Sequence, residues 1–495
     1  MASEGSATDS NGIPGRNTRI LPVDVSKTGP LTFSDDQKSL LGDWTIDLPD
    51  DSPDATNLRT AADGIRTSDV PVAFPTETVY GLGADATRSS AVRGIYEAKQ
   101  RPADNPLIVH ICSLEQLRGL LQPSRLKNGH KPSQPTELER KFGAKWDIER
   151  YPPDPIPKIY MPLIRRFWPG PLTILLPNPD NSILAPEVTA GLPTFGARMP
   201  KSLLALALIK LAGVPLAAPS ANASTKPSPT TAEHVKHDLD GRVDMILDGG
   251  PCDVGVESTV VDGLSNPPVI LRPGGVSIEQ LRECWGWEDV VIGYKDGSEY
   301  GTAPKAPGMK YKHYSPRATV VLYDAGSGQP SIDVLQRYLG GNRTIGIVRT
   351  KTWERGFGLK MAEVVNTDQN AATMNGDHEK AVKDSLSQPN LTDSPVNGTT
   401  PALRNLLEST PTYTTPTAYS TSVTLDSADK PIQFWDIALG NKVESIARGL
   451  FSALRELDRK NVDVIFVEGI SDSEGDTAAA IMNRLRKAAE VHITT

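Results

Sequence analysis

The chain has 495 residues, 38% of them apolar, and a formal charge of −8. That length predicts two or three domains, each able to bury a core, and the acidity excludes a broad nucleic-acid-binding surface. Three widely spaced cysteines, Cys112, Cys252 and Cys284, fit neither a disulfide framework nor a zinc site, and no apolar run approaches the roughly 18 residues of a membrane helix.

Residues 1–17 are rich in Ser, Gly and Asn, so the N-terminal extension to residue 54 is expected to be largely disordered, with one short strand at 19–25. The N-terminus has no hydrophobic core region, which predicts no secretory signal and a cytoplasmic protein, with a mitochondrial fraction left open. Pro53 at a first helical position, then Leu58, Ala61, Ala62 and Ile65, predict a helix over 50–68. From 70 to 111 the order is apolar run, polar turn, glycine pair (Gly81, Gly83), short helix, basic turn and second apolar run. This predicts a βαβ-like unit whose loops lie at sheet edges, where ligands bind. Pro102 and Pro106 stop the helix and fix a turn that carries Lys99, Arg101 and Asn105.

Ser113 and Gln116 have capping-box spacing and start another helix. Residues 122–157 are polar and without periodicity, the mark of a surface insertion. Order returns at 165–177, where Pro-Gly-Pro feeds an apolar strand. A strand at 194–198, a core helix at 201–212 closed by Gly213 and a strand at 214–218 follow. A hydroxyl-rich loop then ends in a Thr230-x-x-Glu233 capping box. Strands at 245–247, 258–261 and 269–272 complete a twisted open α/β sheet over 55–302. Residues 303–317 are proline-rich and extended, reaching up to roughly 45 Å, long enough to lie back over the first domain. A smaller Rossmann-like α/β domain occupies 318–495, with a disordered insertion at 366–417. It has no GxGxxG, so no nucleotide is assigned to it; its expected role is to anchor the linker as a lid.

No P-loop, GxSxG elbow, kinase signature or HExxH is present. What remains is cations and hydroxyls on loops: Lys99, Arg101, Arg198 and Arg272 beside turns or strand ends, and Ser220, Asn222 and Ser228 in one loop. A polyphosphate needs such donors to neutralise and orient it together. Asp253 and Glu257 read as solvated loop acids, because two carboxylates without a third ligand make a poor metal site.

Seven segments in one order carry a resemblance: PTETVYGLG, KQRPADNPLIVHI, PGPLTILLP, FGARMP, APSANASTKPSPT, DGGPCDVGVESTVVD and ILRPGG. Together they resemble the YrdC-type domain. PGMKYKHYSPR followed by a second α/β unit looks like the long, two-domain form, the L-threonylcarbamoyladenylate synthases of archaea, many bacteria and fungi. The resemblance implies a nucleotidyltransferase that condenses L-threonine, bicarbonate or CO₂ and ATP to threonylcarbamoyl-AMP and pyrophosphate. A downstream threonylcarbamoyltransferase complex acting on tRNA would use the product, weak tRNA contact by this chain being left open. Mg²⁺ would come with ATP, without protein metal ligands.

By the same resemblance Thr78, His110, Arg198, Ala218 (through its backbone) and Ser258 match threonine-contacting positions. Arg101, Asn105, Thr194, Ser220, Ser228 and Arg272 match ATP-contacting ones. Lys99, Arg101, Ser220 and Asn222 form the catalytic KxR and SxN group. Tyr314, with Tyr311 as second choice, matches a linker residue that touches the nucleotide. An RNA-binding module without synthase activity is the alternative. A hydrogenase-maturation carbamoyltransferase would bring cysteine-rich zinc motifs that this chain lacks.

Overall fold

The structure, a computed structural model, describes residues 16–33, 41–123, 154–294, 313–338, 344–359, 416–423 and 432–494. The first domain opens with β1 (Arg19–Pro22), β2 (Leu31–Phe33), β3 (Trp44–Ile46) and α1 (Pro53–Thr67). β4 (Val72–Phe74), β5 (Gly81–Asp85), α2 (Ser89–Lys99), β6 (Ile108–His110) and α3 (Leu114–Leu121) follow. Then come α4 (Met161–Phe167), β7 (Leu172–Pro177), α5 (Pro186–Thr189), β8 (Thr194–Arg198), α6 (Leu203–Ala212), β9 (Leu216–Ala217) and α7 (Ala232–Leu239). β10 (Met245–Asp248), β11 (Thr259–Asp262), β12 (Val269–Arg272), α8 (Ile278–Arg282) and β13 (Val291–Ile292) close it. Eleven strands join one mixed sheet in the order β1-β10-β4-β5-β9-β6-β8-β7-β11-β12-β13.

Local chemistry accounts for the helices. Ser52 accepts from the Ala55 N–H, Pro53 starts α1, and Leu58, Ala61, Ala62 and Ile65 face inward. They pack on α6, an almost wholly apolar helix capped by Ser202 and by Gly213 at φ 70°. Each large aliphatic side chain buried there contributes about 1.5–3 kcal/mol.

Several expectations are corrected. β5 contains Gly81 and Gly83 as strand residues, because the Phe74 ring lies on them: an added Cβ would come within 3.1 Å of it at Gly81 and 2.6 Å at Gly83. β4 and β5 pair antiparallel, and β9 separates β5 from β6, again antiparallel to both. β5 and β6 therefore run parallel with β9 between them, so β5, α2 and β6 form a split βαβ unit, which an antiparallel β4 precedes. The N-terminal extension is part of the fold where it is described. β1 extends the sheet beside β10, and Trp44 is buried with its indole N–H donating to Cys112 O at 3.1 Å. The cap of α7 is Thr231, which accepts from His234 N, one residue beyond the expected Thr230. The two predicted insertions lie mostly outside the described residues, as do 303–312 of the linker, Tyr311 included.

The second domain runs β14 (Thr319–Tyr323), α9 (Ile332–Tyr338), β15 (Ile345–Arg349), β16 (Tyr419–Val423), β17 (Ile432–Ala438), α10 (Val443–Arg459), β18 (Val464–Glu468), α11 (Asp476–Ala488) and β19 (Val491–Ile493). Its sheet order is β16-β17-β15-β18-β14-β19, parallel except for β16. All five residues of β18 are buried, as expected of a strand covered on both faces.

α10 and α11 lie against the first domain. Val79 and Val256 are buried in one cluster with Leu450, Phe451 and the linker's Tyr314. Arg455 pairs with Asp238 at 2.7 Å, and Thr230 Oγ1 and Ser452 Oγ share a hydrogen bond at 2.8 Å. Gly255, at φ 77°, permits this approach, since a Cβ there would lie 2.5 Å from Arg448 Cα.

Candidate active site

Where β5, the end of α2 and the 218–228 loop meet, they enclose a cavity of about 790 Å³ counting its open mouth. Of the residues singled out above, Thr78, Lys99, Arg101, His110, Arg198, Ala218, Ser220, Asn222, Ser228, Ser258, Arg272 and Tyr314 line it.

Lys99, the last residue of α2, is brought under the loop by Gln100, which turns the chain in the left-handed region at φ 52°. Its Nζ donates to Ser220 O at 2.5 Å and Asn222 O at 2.6 Å. Ser220 Oγ donates to Asn222 Oδ1 at 2.5 Å, and Asn222 Nδ2 donates to Ala223 O and Lys226 O. The loop is thus tied to α2 and to itself. Burial, with Arg101 nearby, pushes the Lys99 ammonium down to about 7. Burial also lowers Arg101, and its Nη2 is buried without a hydrogen-bond partner among the described residues. A desolvated guanidinium nitrogen with no acceptor is a place for an anion.

On the opposite wall Arg198 ends β8. Nη1 donates to Thr78 Oγ1 at 2.9 Å, Nε donates to Gly170 O at 3.2 Å, and Nη2 lies 2.5 Å from Glu77 Oε1. That last contact is an ion pair whose angle falls outside hydrogen-bond geometry. Glu77 Oε2 accepts from Lys201 N at 3.1 Å, which holds the carboxylate in place. Thr76 Oγ1 accepts from the N–H groups of Thr78 and Val79 and so shapes the turn between β4 and β5.

His110 is buried, and its Nδ1 sits 3.3 Å from Ile108 O. A carbonyl only accepts, so the proton is placed on Nδ1 and Nε2 is an acceptor. Burial, aided by Arg198, pushes the imidazole down to about 3, so the ring is neutral.

The far wall is Ser258, Arg272 and Glu257. Arg272 Nη2 donates to Ser258 Oγ at 3.1 Å and to Ser258 O at 3.0 Å, and burial pushes its guanidinium down to about 10. Tyr314 closes this side, with φ 67° and its ring stacked on Phe451 at 5.2 Å.

Two expected residues are not brought to the wall. Thr194 begins β8, four residues from Arg198 and so about 13 Å along the strand. Asn105 is buried and absent from the lining, and its backbone carbonyl accepts from the Tyr96 hydroxyl at 2.9 Å. The reading of Glu257 as a solvated acid is corrected: it is buried, accepts from Ser228 Oγ at 2.7 Å and pairs with Arg484 at 3.1 Å. Asp253 is half-buried, and its backbone carbonyl accepts from Arg448 at 2.8 Å. Thr76 and His313 also line the cavity, and Glu77 and Arg484 pair with Arg198 and Glu257 on its walls. Glu77 and Thr76 stand in PTETVYGLG, but sequence offers no sign that Arg484 crosses between domains.

Among the described residues no group of three or more His, Cys, Asp or Glu could hold a metal ion, and no helix is long and apolar enough to cross a membrane. The Sua5/YciO/YrdC family model, described as telomere recombination, matches residues 65–274. The model described as threonylcarbamoyl-AMP synthase, C-terminal domain, matches 276–490. The chain is 40% identical to a Schizosaccharomyces pombe threonylcarbamoyl-AMP synthase over 96% of this chain and 98% of that one. It is 38% identical to a Bacillus subtilis protein of the same name, over 90% and 97%. A crystal structure of Pyrococcus abyssi Sua5 complexed with L-threonine superposes with a TM-score of 0.58 at 34% identity, over 89% of this chain and 96% of that one.

Proposed function

The chain belongs to the family of threonylcarbamoyl-AMP synthases, and from that premise we propose how its cavity condenses L-threonine, bicarbonate or CO₂ and ATP to threonylcarbamoyl-AMP and pyrophosphate. The observation that carries the reading is one cavity lined by five cations, Lys99, Arg101, Arg198, Lys226 and Arg272. A carboxylate and a triphosphate held at once require that arrangement.

The threonine amine becomes a carbamate, and a carbamate oxygen attacks the α-phosphorus in line as pyrophosphate leaves. Neither step needs a protein nucleophile, so the protein's contribution is positioning and charge neutralisation. Arg101 and Arg272 hold the phosphates, with Ser220 and Ser228 bordering them. Lys99 fixes the Ser220–Asn222 loop and adds its charge. Arg198 takes the substrate carboxylate, and Thr78 and Ser258 border the amino acid. The Nε2 lone pair of His110 accepts from the amine and orients it toward carbon dioxide. Tyr314 packs against the nucleotide. Mg²⁺ enters as part of the ATP substrate. Glu257 is the sole carboxylate among the described lining residues, and Ser228 and Arg484 already occupy it, so these residues offer no cage for a resident metal. The product is labile and suits a transferase acting on tRNA. The test is mass detection of threonylcarbamoyl-AMP after mixing the protein with ATP, threonine and bicarbonate; pyrophosphate without that adduct would refute the reading.

A further inference from the structure

Glu257 joins parts of the molecule far apart in sequence. It precedes β11, and its Oε1 accepts from Ser228 in the 218–228 loop at 2.7 Å. Its Oε2 lies 3.1 Å from Nε of Arg484 on α11 of the second domain. Arg484 is 1% exposed, and its Nη1 donates to Pro273 O at 2.7 Å and Ala480 O at 3.2 Å. Burial and then the charge of the same carboxylate push the phenol of the linker's Tyr314 up. A buried carboxylate on the wall of a polyphosphate site repels its ligand unless a cation compensates it. Arg272 and Arg484 are the compensating cations, and Arg484 makes the direct pair.

We propose that Arg484 is a positioning residue for the nucleotide, supplied by the second domain and acting through Glu257 on Ser228 and Tyr314. The inference rests on the proposed synthase reading for the identity of the ligand. It gives the second domain a part in nucleotide binding that lies on a buried ion pair and not on the linker alone.

The groups facing Glu257 are Arg484 on α11, Arg272 on β12, and His313 and Tyr314 on the linker. Burial alone would raise the carboxyl, but Arg484 and Arg272 hold it below the usual carboxylate range, so it stays ionised at neutral pH. Without Arg484 its proton affinity rises. Lowering the pH then neutralises it and relieves the repulsion of the triphosphate.

The experiment compares KM for ATP and for threonine in the full-length protein and in Arg484→Met, Arg484→Lys and the Glu257→Gln/Arg484→Met pair. Arg484→Met is expected to raise the ATP KM by about tenfold or more at neutral pH while the threonine KM stays within about twofold. The defect should shrink as pH falls. The pair, which removes the carboxylate together with its direct partner, should recover most of the affinity. A structural role alone would predict neither the pH dependence nor the recovery. If Arg484→Met does not fold, Arg484→Lys carries the decision, with an ATP KM raised about threefold. An unchanged ATP KM, a parallel rise in both KM values, or a pair worse than the single variant would overturn the proposal. Should the wild type form no adduct, the synthase reading fails; calorimetric binding of ATP to the same variants then decides the coupling separately.

Discussion

Glu468 in the second domain and Arg101 in the first are both charged groups at the end of a regular element, yet their surroundings are opposite. Glu468, at the end of β18, accepts from the N–H groups of Thr350, Lys351, Thr352 and Trp353 and from the Thr352 hydroxyl. Both its oxygens are occupied, and those bonds hold its carboxyl below the usual range against the cost of burial. Arg101, just beyond α2, keeps a buried nitrogen with no acceptor among the described residues. Satisfied charges stabilise folds, whereas an unsatisfied one implies a partner that arrives later. The contrast separates a charge satisfied within the fold from one left open to a proposed ligand.

The sharpest way to break this comparison is at Arg101. Arg101→Ala is expected to lower kcat/KM for ATP by about 10²–10³ with the melting temperature unchanged, the loss of one preorganised donor. Activity near wild type would remove the phosphate role. At the domain contact, Gly255→Val adds a side chain where φ is 77° and Arg448 Cα is 2.5 Å away. Its expected cost is about 3 kcal/mol of stability, read by denaturant unfolding. Glu468→Gln puts an amide donor against backbone donors and is expected to cost about 1–3 kcal/mol, with kcat per folded molecule unchanged. Reduced turnover at full stability would mean that Glu468 is functional after all.

The smallest effect is the pH response of Lys99. Its ammonium is pushed down to about 7 by burial, so the free protein holds part of Lys99 neutral above that pH. A bound triphosphate favours the charged form, so ATP binding takes up a proton there. ATP affinity should fall by about tenfold between pH 7 and pH 9, and the uptake should disappear in Lys99→Met. Calorimetry in buffers of different ionisation enthalpy measures both. The sign for folding is related: the unfolded chain binds more protons at this site between about 7 and the ordinary lysine value, so this group's contribution to stability rises with pH across that window.

Sequence exposed much of this site because its donors sit in short segments whose order is distinctive. α1, α6, β8 and β12 were legible from periodicity and caps. The direction of pairing around β5 was not, since strand polarity is decided by partners far along the chain and the two glycines resemble a loop. Glu257 looked solvated for the same reason: its neutralising partner, Arg484, is 227 residues away. Burial of a charge is legible only when its counter-ion is local.

The ion pair of Glu77 with Arg198 has one more consequence for the proposed amino-acid half of the cavity. An incoming carboxylate does not meet a bare guanidinium; it displaces or shares one already seated there. Entry is thus an exchange of like for like, and its electrostatic gain is small. Discrimination among amino acids then falls to the β-substituent, to the fit of a methyl and a hydroxyl against the wall. A substrate analogue without the hydroxyl should lose more than the carboxylate contact alone could return.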